Sequence, residues 1–442
     1  MTRCVVGPAV SRRAFHGVAA GFFAAHGFNA RAADGPNEKL DVAVVGIGGQ
    51  GAVNLGAVAH ENVVALCDVD ERRGAKGFES FPGVRRFTDF RRMFDSLEKE
   101  IDAVVVSTPD HTHFHPAWWA IERRKHVYLE KPLAHEVVEV RRLVDAARAA
   151  KVATQLGCQR HALQGLRDGV EIVRSGMLGD VREVHSWIAS GRGMPKRPEP
   201  AEKPPAGLDW DLWLGPTPAR PYTKGFAPYD WRFWWDYGTG ETGNWGCHIL
   251  DIPFWALELA HPVHVAGSGP QPDPERTPTS LASRLDFPAR KGSGGAALPA
   301  VSVHWHQGRP PILEGLAGNE PDEKGKRPSD SMNTLFVGSA GSLLCGFGGH
   351  RLLPAEQFAA AKPPRTLPPS PGFHREWLAA CRGGAAATCN FDYAGPLAES
   401  VLLANVAYRV QGEFDWDATA LKSSRDDANA LLRREYRAGW EA

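Results

Sequence analysis

The chain carries no surplus of either charge, because its 51 basic and 51 acidic residues cancel across 442 positions. Without a sequence-wide field to attract a polyanion, neither nucleic acid nor an anionic membrane is an expected partner. Cysteine is sparse as well. The seven thiols at Cys4, Cys67, Cys158, Cys247, Cys345, Cys381 and Cys389 are scattered, with no paired C-x-x-C and no disulfide-scaffold spacing, so neither a metal nor a cross-link is inferred. No uncharged run reaches the ~18 apolar residues of a membrane span. What remains is a globular composition, 43% hydrophobic and 23% charged, on a chain long enough for two domains and a small-molecule partner.

The most informative stretch is Asp41 to Gly51. Apolar residues from Val42 to Val45 give way to Gly46, Gly48 and Gly51, a buried strand turning tightly into a helix. A dinucleotide needs that turn: Gly46 permits the bend, Gly48 lets backbone approach a pyrophosphate, and Gly51 lets the helix pack close to the strand. Val63 to Cys67 reads as a second strand ending at Asp68, at about the 20-residue distance where an acid meets the adenosine ribose hydroxyls. Asp68 favours NAD by repelling a 2′-phosphate, while Arg72 and Arg73 leave room for NADP.

Ser11-Arg12-Arg13-Ala14-Phe15, the apolar stretch from Val18 to Phe28 and Ala30-Arg31-Ala32 resemble a twin-arginine export signal with its cleavage site, over residues 1–33. A periplasmic location is expected on that reading; a cytoplasmic protein with a docked arm is the alternative. Beyond the leader, apolar runs alternate with amphipathic stretches, the pattern of a doubly wound parallel sheet over residues 38–160. Asp102 to Ser107 leads into Thr108-Pro109-Asp110-His111-Thr112-His113, His126 to Leu129 leads into Glu130-Lys131-Pro132, and Val152 to Leu156 leads to Gln159-Arg160; Ala134 to Ala150 reads as a helix. Polar clusters at strand ends belong on the ligand side of such a sheet. From residue 161 to 442 alternating runs such as Val181 to Trp187, Val301 to Trp305 and Leu335 to Val337 predict a mostly antiparallel sheet, interrupted by Pro-rich and polar loops.

Lys131 reads either as an exposed turn lysine or as an ammonium that Pro132 aims by excluding helix, able to stabilise an alkoxide. His248 reads either as a core or capping histidine or as a base near neutrality, oriented by Asp251 three positions on. Six of the 14 tryptophans crowd the segment from Trp210 to Trp245, either a sugar-stacking platform, with Trp231 and Trp235 as its ligand candidates, or a subunit contact. His111, His113 and His115 alternate, but no carboxylate set accompanies them and no metal is expected there.

Gly46-x-Gly48-x-x-Gly51, Thr108-Pro109-x-His111-x-His113, Glu130-Lys131-Pro132 and Gly246-x-His248-x-x-Asp251 together resemble the glucose-fructose oxidoreductase / inositol dehydrogenase (Gfo/Idh/MocA) family. Trp213-Leu-Gly-Pro216 and His374-x-Glu376-Trp377-Leu378 resemble its exported, carbohydrate-linked branch. The resemblance implies a Rossmann domain followed by an open-sheet domain, homodimers or homotetramers, and NAD(P) chemistry on a sugar or cyclitol with Lys131 and His248 at the catalytic positions. Cofactor contacts are expected from Gly46, Ile47, Gly48, Gln50, Gly51, Asp68, Thr108, Pro109, His111, His113, Glu130, Lys131 and Gln159, and substrate contacts from Arg160, Trp231, Trp235, Asn244 and His248. One position departs from the pattern: Asn244 stands where the family usually carries aspartate, and an amide can hydrogen-bond a substrate but cannot hold a proton. An oxidoreductase with a tightly held nucleotide is the primary expectation. A hydrolase or lyase acting through transient oxidation, or a non-catalytic sugar-binding protein, are the alternatives.

Overall fold

The computed structural model describes residues 39–197 and 201–441; the expected export signal lies outside them. Among the described residues, six strands make the first sheet: β1 (Asp41–Val45), β2 (Asn62–Cys67), β3 (Arg85–Phe87), β4 (Ala103–Val106), β5 (His126–Leu129) and β6 (Thr154–Leu156). All pair in parallel in the order β3-β2-β1-β4-β5-β6, the Rossmann arrangement. Helices cover both faces, so Val42 to Val44 and Ala103 to Val106 are fully buried, which is why these strands read as unbroken apolar runs. The strand order reverses between β1 and β4, and ligands gather at the carboxyl ends there.

β3 was not expected. Its Arg-Arg-Phe sequence has no apolar run, and the strand exists because it edges β2. The helix expected from Ala134 begins at Val137, where Glu136 and Glu139 form a reciprocal cap.

The second sheet contains β7 (Val181–Ile188), β8 (His264–Ser268), β9 (Leu281–Phe287), β12 (Val301–Gln307), β13 (Thr334–Gly338), β14 (Ser342–Cys345), β15 (His350–Leu353), β16 (Glu413–Asp417) and β17 (Lys422–Ser423); β10 (Arg290–Lys291) and β11 (Ala297–Leu298) form a separate hairpin. Its order is β15-β14-β13-β7-β12-β9-β8-β16-β17, antiparallel except where β7 meets β12. One face packs on the long helix Phe391–Arg409, which also rests on the helix Val137–Ala150 of the first half. Strict alternation in β9 and β12 records this, with every second residue buried.

The C-terminal tail returns to the first half. Arg434 donates to Glu139 at 2.9 Å and to the His111 carbonyl at 2.7 Å, and the Trp440 carbonyl meets His115 Nε2 at 2.8 Å. These contacts place Trp440 at the mouth of the cleft described next.

Candidate active site

At the carboxyl ends of β1 and β4 a cleft of about 450 Å³ opens between the first sheet and the helix Gly240–Ile249. Its floor is the glycine turn. Gly46 adopts φ +79, and a Cβ there would lie 2.7 Å from the Ser107 carbonyl oxygen; a Cβ on Gly51 would lie 1.9 Å from that of Gly46, so only glycine lets the helix approach. No side chain caps the start of the helix Gln50–Val58; the Gly51 and Ala52 amides turn back onto the Gly48 and Gly49 carbonyls, which leaves the Gln50 amide at the helix start for an anion. Asp68 closes the turn by accepting from the Ile47 amide at 2.9 Å and the Asp70 amide at 2.9 Å. Burial pushes its carboxyl upward and those amides oppose the shift. Arg72 is taken by Asp70 in a two-pronged pair, whereas Arg73 lines the cleft beside Gly48 and Gly49. The Arg73 guanidinium, the helix start without a side-chain cap and the part-buried acid of Asp68 fit a nicotinamide dinucleotide.

Across the cleft, Lys131 at the end of β5 donates to the Asn244 carbonyl at 2.8 Å and to its side-chain oxygen at 2.9 Å. Asn244 Nδ2 faces Glu241 Oε2 at 3.3 Å, which fixes the amide so that its oxygen, not its nitrogen, meets the ammonium. Glu241 is fully buried, and its charge is answered by Arg192, which reaches in from the surface. Glu241, Asn244 and His248 thus follow one stripe of the helix at spacings of three and four. That stripe was readable in the sequence, yet Glu241 was not singled out.

His248 lines the same cleft, buried beneath Trp245, with Nδ1 lacking a hydrogen-bond partner. Burial holds its imidazole well below the ordinary value, and the charges of Lys131 and Arg160 push the same way. This corrects the expectation of a histidine titrating near neutrality under the influence of Asp251. Asp251 instead accepts from His161 Nδ1 at 2.9 Å and from the Tyr393 hydroxyl at 2.5 Å. The two acceptor contacts turn it away from His248, because the helix ends at Ile249 and a new one begins at Asp251.

Of the residues expected at the site, Gly46, Gly48, Gln50, Asp68, Thr108, Pro109, His113, Glu130, Lys131, Gln159, Arg160, Trp231, Asn244 and His248 line the cleft. Glu130 is held by Asn54 at 2.9 Å and Gln159 at 2.6 Å, and Arg160 lies over Trp245 and Phe347. Four others do not line it. Ile47 packs under the helix Glu71–Ser80, and Gly51 sits behind the turn. His111 is sealed between the carbonyls of Tyr237 and Trp213. Trp235 faces the opposite side, donating to the Asp273 carbonyl at 3.2 Å with Arg409 over its ring; the aromatic crowd packs mainly on itself, Trp210 stacking on Trp213 at 4.6 Å. Tyr229, Arg232 and Trp440 line the cleft without having been expected. They come from a loop, the 3-10 turn Asp230–Phe233 and the tail, all too short or irregular for a period to mark a face.

Residues 40–158 match a family profile described as an oxidoreductase family with an NAD-binding Rossmann fold, and residues 171–279 match the C-terminal alpha/beta domain of the same family. The chain belongs to the Gfo/Idh/MocA oxidoreductase family. Among curated relatives, an inositol 2-dehydrogenase of Saccharopolyspora erythraea is 30% identical over 167 residues, 37% of this chain and 49% of that protein. A 2,7-anhydro-N-acetylneuraminate hydratase of Escherichia coli is 25% identical over 154 residues, 33% of this chain and 39% of that protein. The chain thus spans at most about half the length of these relatives. The inositol dehydrogenase homolog of Azotobacter vinelandii, solved with NADH and myo-inositol, superposes with a TM-score of 0.54 over 86% of this chain and 98% of that one, at 16% identity, a likeness of fold.

The acid at the end of β2 sets nucleotide choice. Asp68→Ser is expected to weaken NAD binding by roughly tenfold, the loss of a charged hydrogen bond, while narrowing the preference over NADP. Quenching of tryptophan fluorescence by each nucleotide measures both; an unchanged NAD affinity would remove Asp68 from the cofactor site.

Proposed function

We propose that the protein oxidises a carbinol carbon of a sugar or cyclitol, with the proton and the hydride leaving to different sides of the cleft. The observation that carries this reading is the meeting of Lys131, Asn244 and His248 over the glycine turn. Nicotinamide bound there supplies the hydride acceptor. Lys131 donates to the substrate hydroxyl and stabilises the alkoxide as it forms. His248, neutral because it is buried beside two cations, takes the hydroxyl proton; its Nδ1 is sealed, so the lone pair of Nε2 is the acceptor. Asn244 holds the ammonium in place, and Arg160 and Trp231 flank the substrate.

The export signal expected in residues 1–33 and a homo-oligomeric assembly are part of the same reading. An exported protein of this kind retains its nucleotide from the cytoplasm, which requires the cofactor to be restored within each cycle or by a second substrate. Retention gives weight to a second reading, a hydrolase or lyase working by transient oxidation. Oxidation at one carbon acidifies the neighbouring C–H, a substituent is eliminated, and the hydride returns. The hydratase among the relatives favours keeping it.

His248→Ala is expected to lower turnover by about 10²- to 10⁴-fold, the usual contribution of a positioned base, with NAD affinity unchanged; full activity in the variant would overturn the assignment. Since the imidazole stays neutral well below its ordinary 6.5, the kcat/KM profile should show no acid limb near that pH. Asn244→Asp adds a carboxylate that favours imidazolium, so the histidine's pKa should rise and activity should fall as pH drops through the new value. An acid limb near 6.5 already present in the wild-type protein would contradict the electrostatics. The two reaction classes separate on a model glycoside: accumulation of a keto sugar with a change in nucleotide redox state supports the oxidoreductase, whereas aglycone release at constant bound NADH selects the transient-oxidation reading.

A further inference from the structure

The second sheet presents one face to the long helix and its other face away from it. On β12, alternation buries Val301, Val303, Trp305 and Gln307 and sends Ser302, His304 and His306 to the outer face. β7 runs beside it in parallel register, with His304 paired to His185 and His306 to Trp187. Two imidazoles at alternate positions of one strand and a third directly across on its neighbour therefore share one patch. His185 stacks on His304 with centroids 4.6 Å apart and on His306 at 5.8 Å. One ring nitrogen from each of the three lies within 4.8 Å of the others.

Glu183, two residues before His185 on the same face, orders the group. Its Oε1 lies 2.7 Å from His185 Nε2 and accepts that N–H, which leaves the Nδ1 lone pair free and aimed at His306 Nε2, 3.5 Å away. Metal-bound imidazoles are held by carboxylates in this manner, the acid fixing the tautomer and the ring plane. Tetrahedral coordination with bonds of about 2.0–2.1 Å separates ligand nitrogens by about 3.3 Å, close to the His185–His306 distance already present. Strand backbones hold the Cα positions, so bringing His304 in requires only side-chain rotation. The cation opposite His304 on β9, Arg284, donates to Asp286 at 3.1 Å and so has a charge partner of its own.

We propose that His185, His304 and His306 bind one divalent transition-metal ion of the zinc class, with Glu183 holding His185 in its ligating tautomer. Three neutral imidazoles suit zinc, copper or nickel rather than magnesium or calcium, which take oxygen ligands. Glu183, His304 and His306 are partly exposed within the single chain, which leaves room for water as a fourth ligand. None of the three histidines lines the nucleotide cleft, which makes this site separable from the oxidoreductase chemistry.

The test uses the full chain, stripped with a chelator and dialysed. Calorimetric titration with Zn²⁺ should give one ion per chain at micromolar affinity or tighter, and Co²⁺ should produce the strong visible absorption of a four-coordinate imidazole site. Glu183→Gln should weaken zinc roughly 10- to 100-fold, and the double variant His304→Gln/His306→Gln should lose the site while its NAD affinity stays that of the wild type. Should the double variant fail to fold, His306→Gln alone carries the same readout. Absence of a saturable site for either ion, or wild-type stoichiometry in the histidine variants, would overturn the proposal.

Discussion

The ammonium of Lys131 is the point on which the site depends, because it crosses from the end of a parallel strand to the Asn244 carbonyl and side-chain oxygen of a helix more than a hundred residues later. A lysine carries about 2 kcal/mol of rotamer freedom, and two acceptors at hydrogen-bond distance remove much of it before a substrate arrives. The acceptors are themselves fixed: Asn244 by Glu241, and Glu241 by Arg192. A carboxylate so deep in the protein is tolerable only with a partner, and the partner here is a guanidinium rooted at the surface.

What was legible in the sequence follows from where backbone geometry or burial leaves no choice. Gly46 and Gly51 were readable because any side chain there collides with a carbonyl, and β1 and β4 because strands buried on both faces admit only apolar residues. Lys131, Asn244 and His248 followed from a family pattern and lie together. The pairing of His248 with Asp251 failed for a local reason, a helix that stops between them, and for a distant one, His161 and Tyr393 arriving from other elements to claim the acid. Trp235 failed because the stretch from Trp231 to Tyr237 has no regular period, so the side each ring takes is set by partners such as Asp273 and Arg409. His111 looked like a ligand because it follows a strand end, yet its ring is wedged between the Tyr237 and Trp213 carbonyls, where burial keeps it neutral and its single N–H donates to one of them.

Alternation told more in the second sheet than it did in the first. A sheet with helices on both faces hides its registry, whereas β9 and β12, buried on the side of the long helix and partly open on the other, write their two faces into alternate residues. Histidines at both 304 and 306 therefore share a face by strand geometry alone; their meeting with His185 needs the parallel β7–β12 pairing, the single exception to the antiparallel order of that sheet among the described residues.

Replacing the family's usual aspartate with Asn244 changes the charge balance of the cleft. Glu241 is neutralised by Arg192, and after burial the charges of Lys131 and Arg160 are what further disfavour imidazolium at His248. Each cation disfavours imidazolium and by the same sign rule favours an anion placed near it. The histidine becomes a weaker base, at about 1.4 kcal/mol per pKa unit, while an alkoxide or carbanion formed between the same cations gains. Proton loss from substrate is favoured by the stabilised anion as much as it is disfavoured by the weakened base. The asparagine therefore moves the driving force from the proton acceptor to the anion.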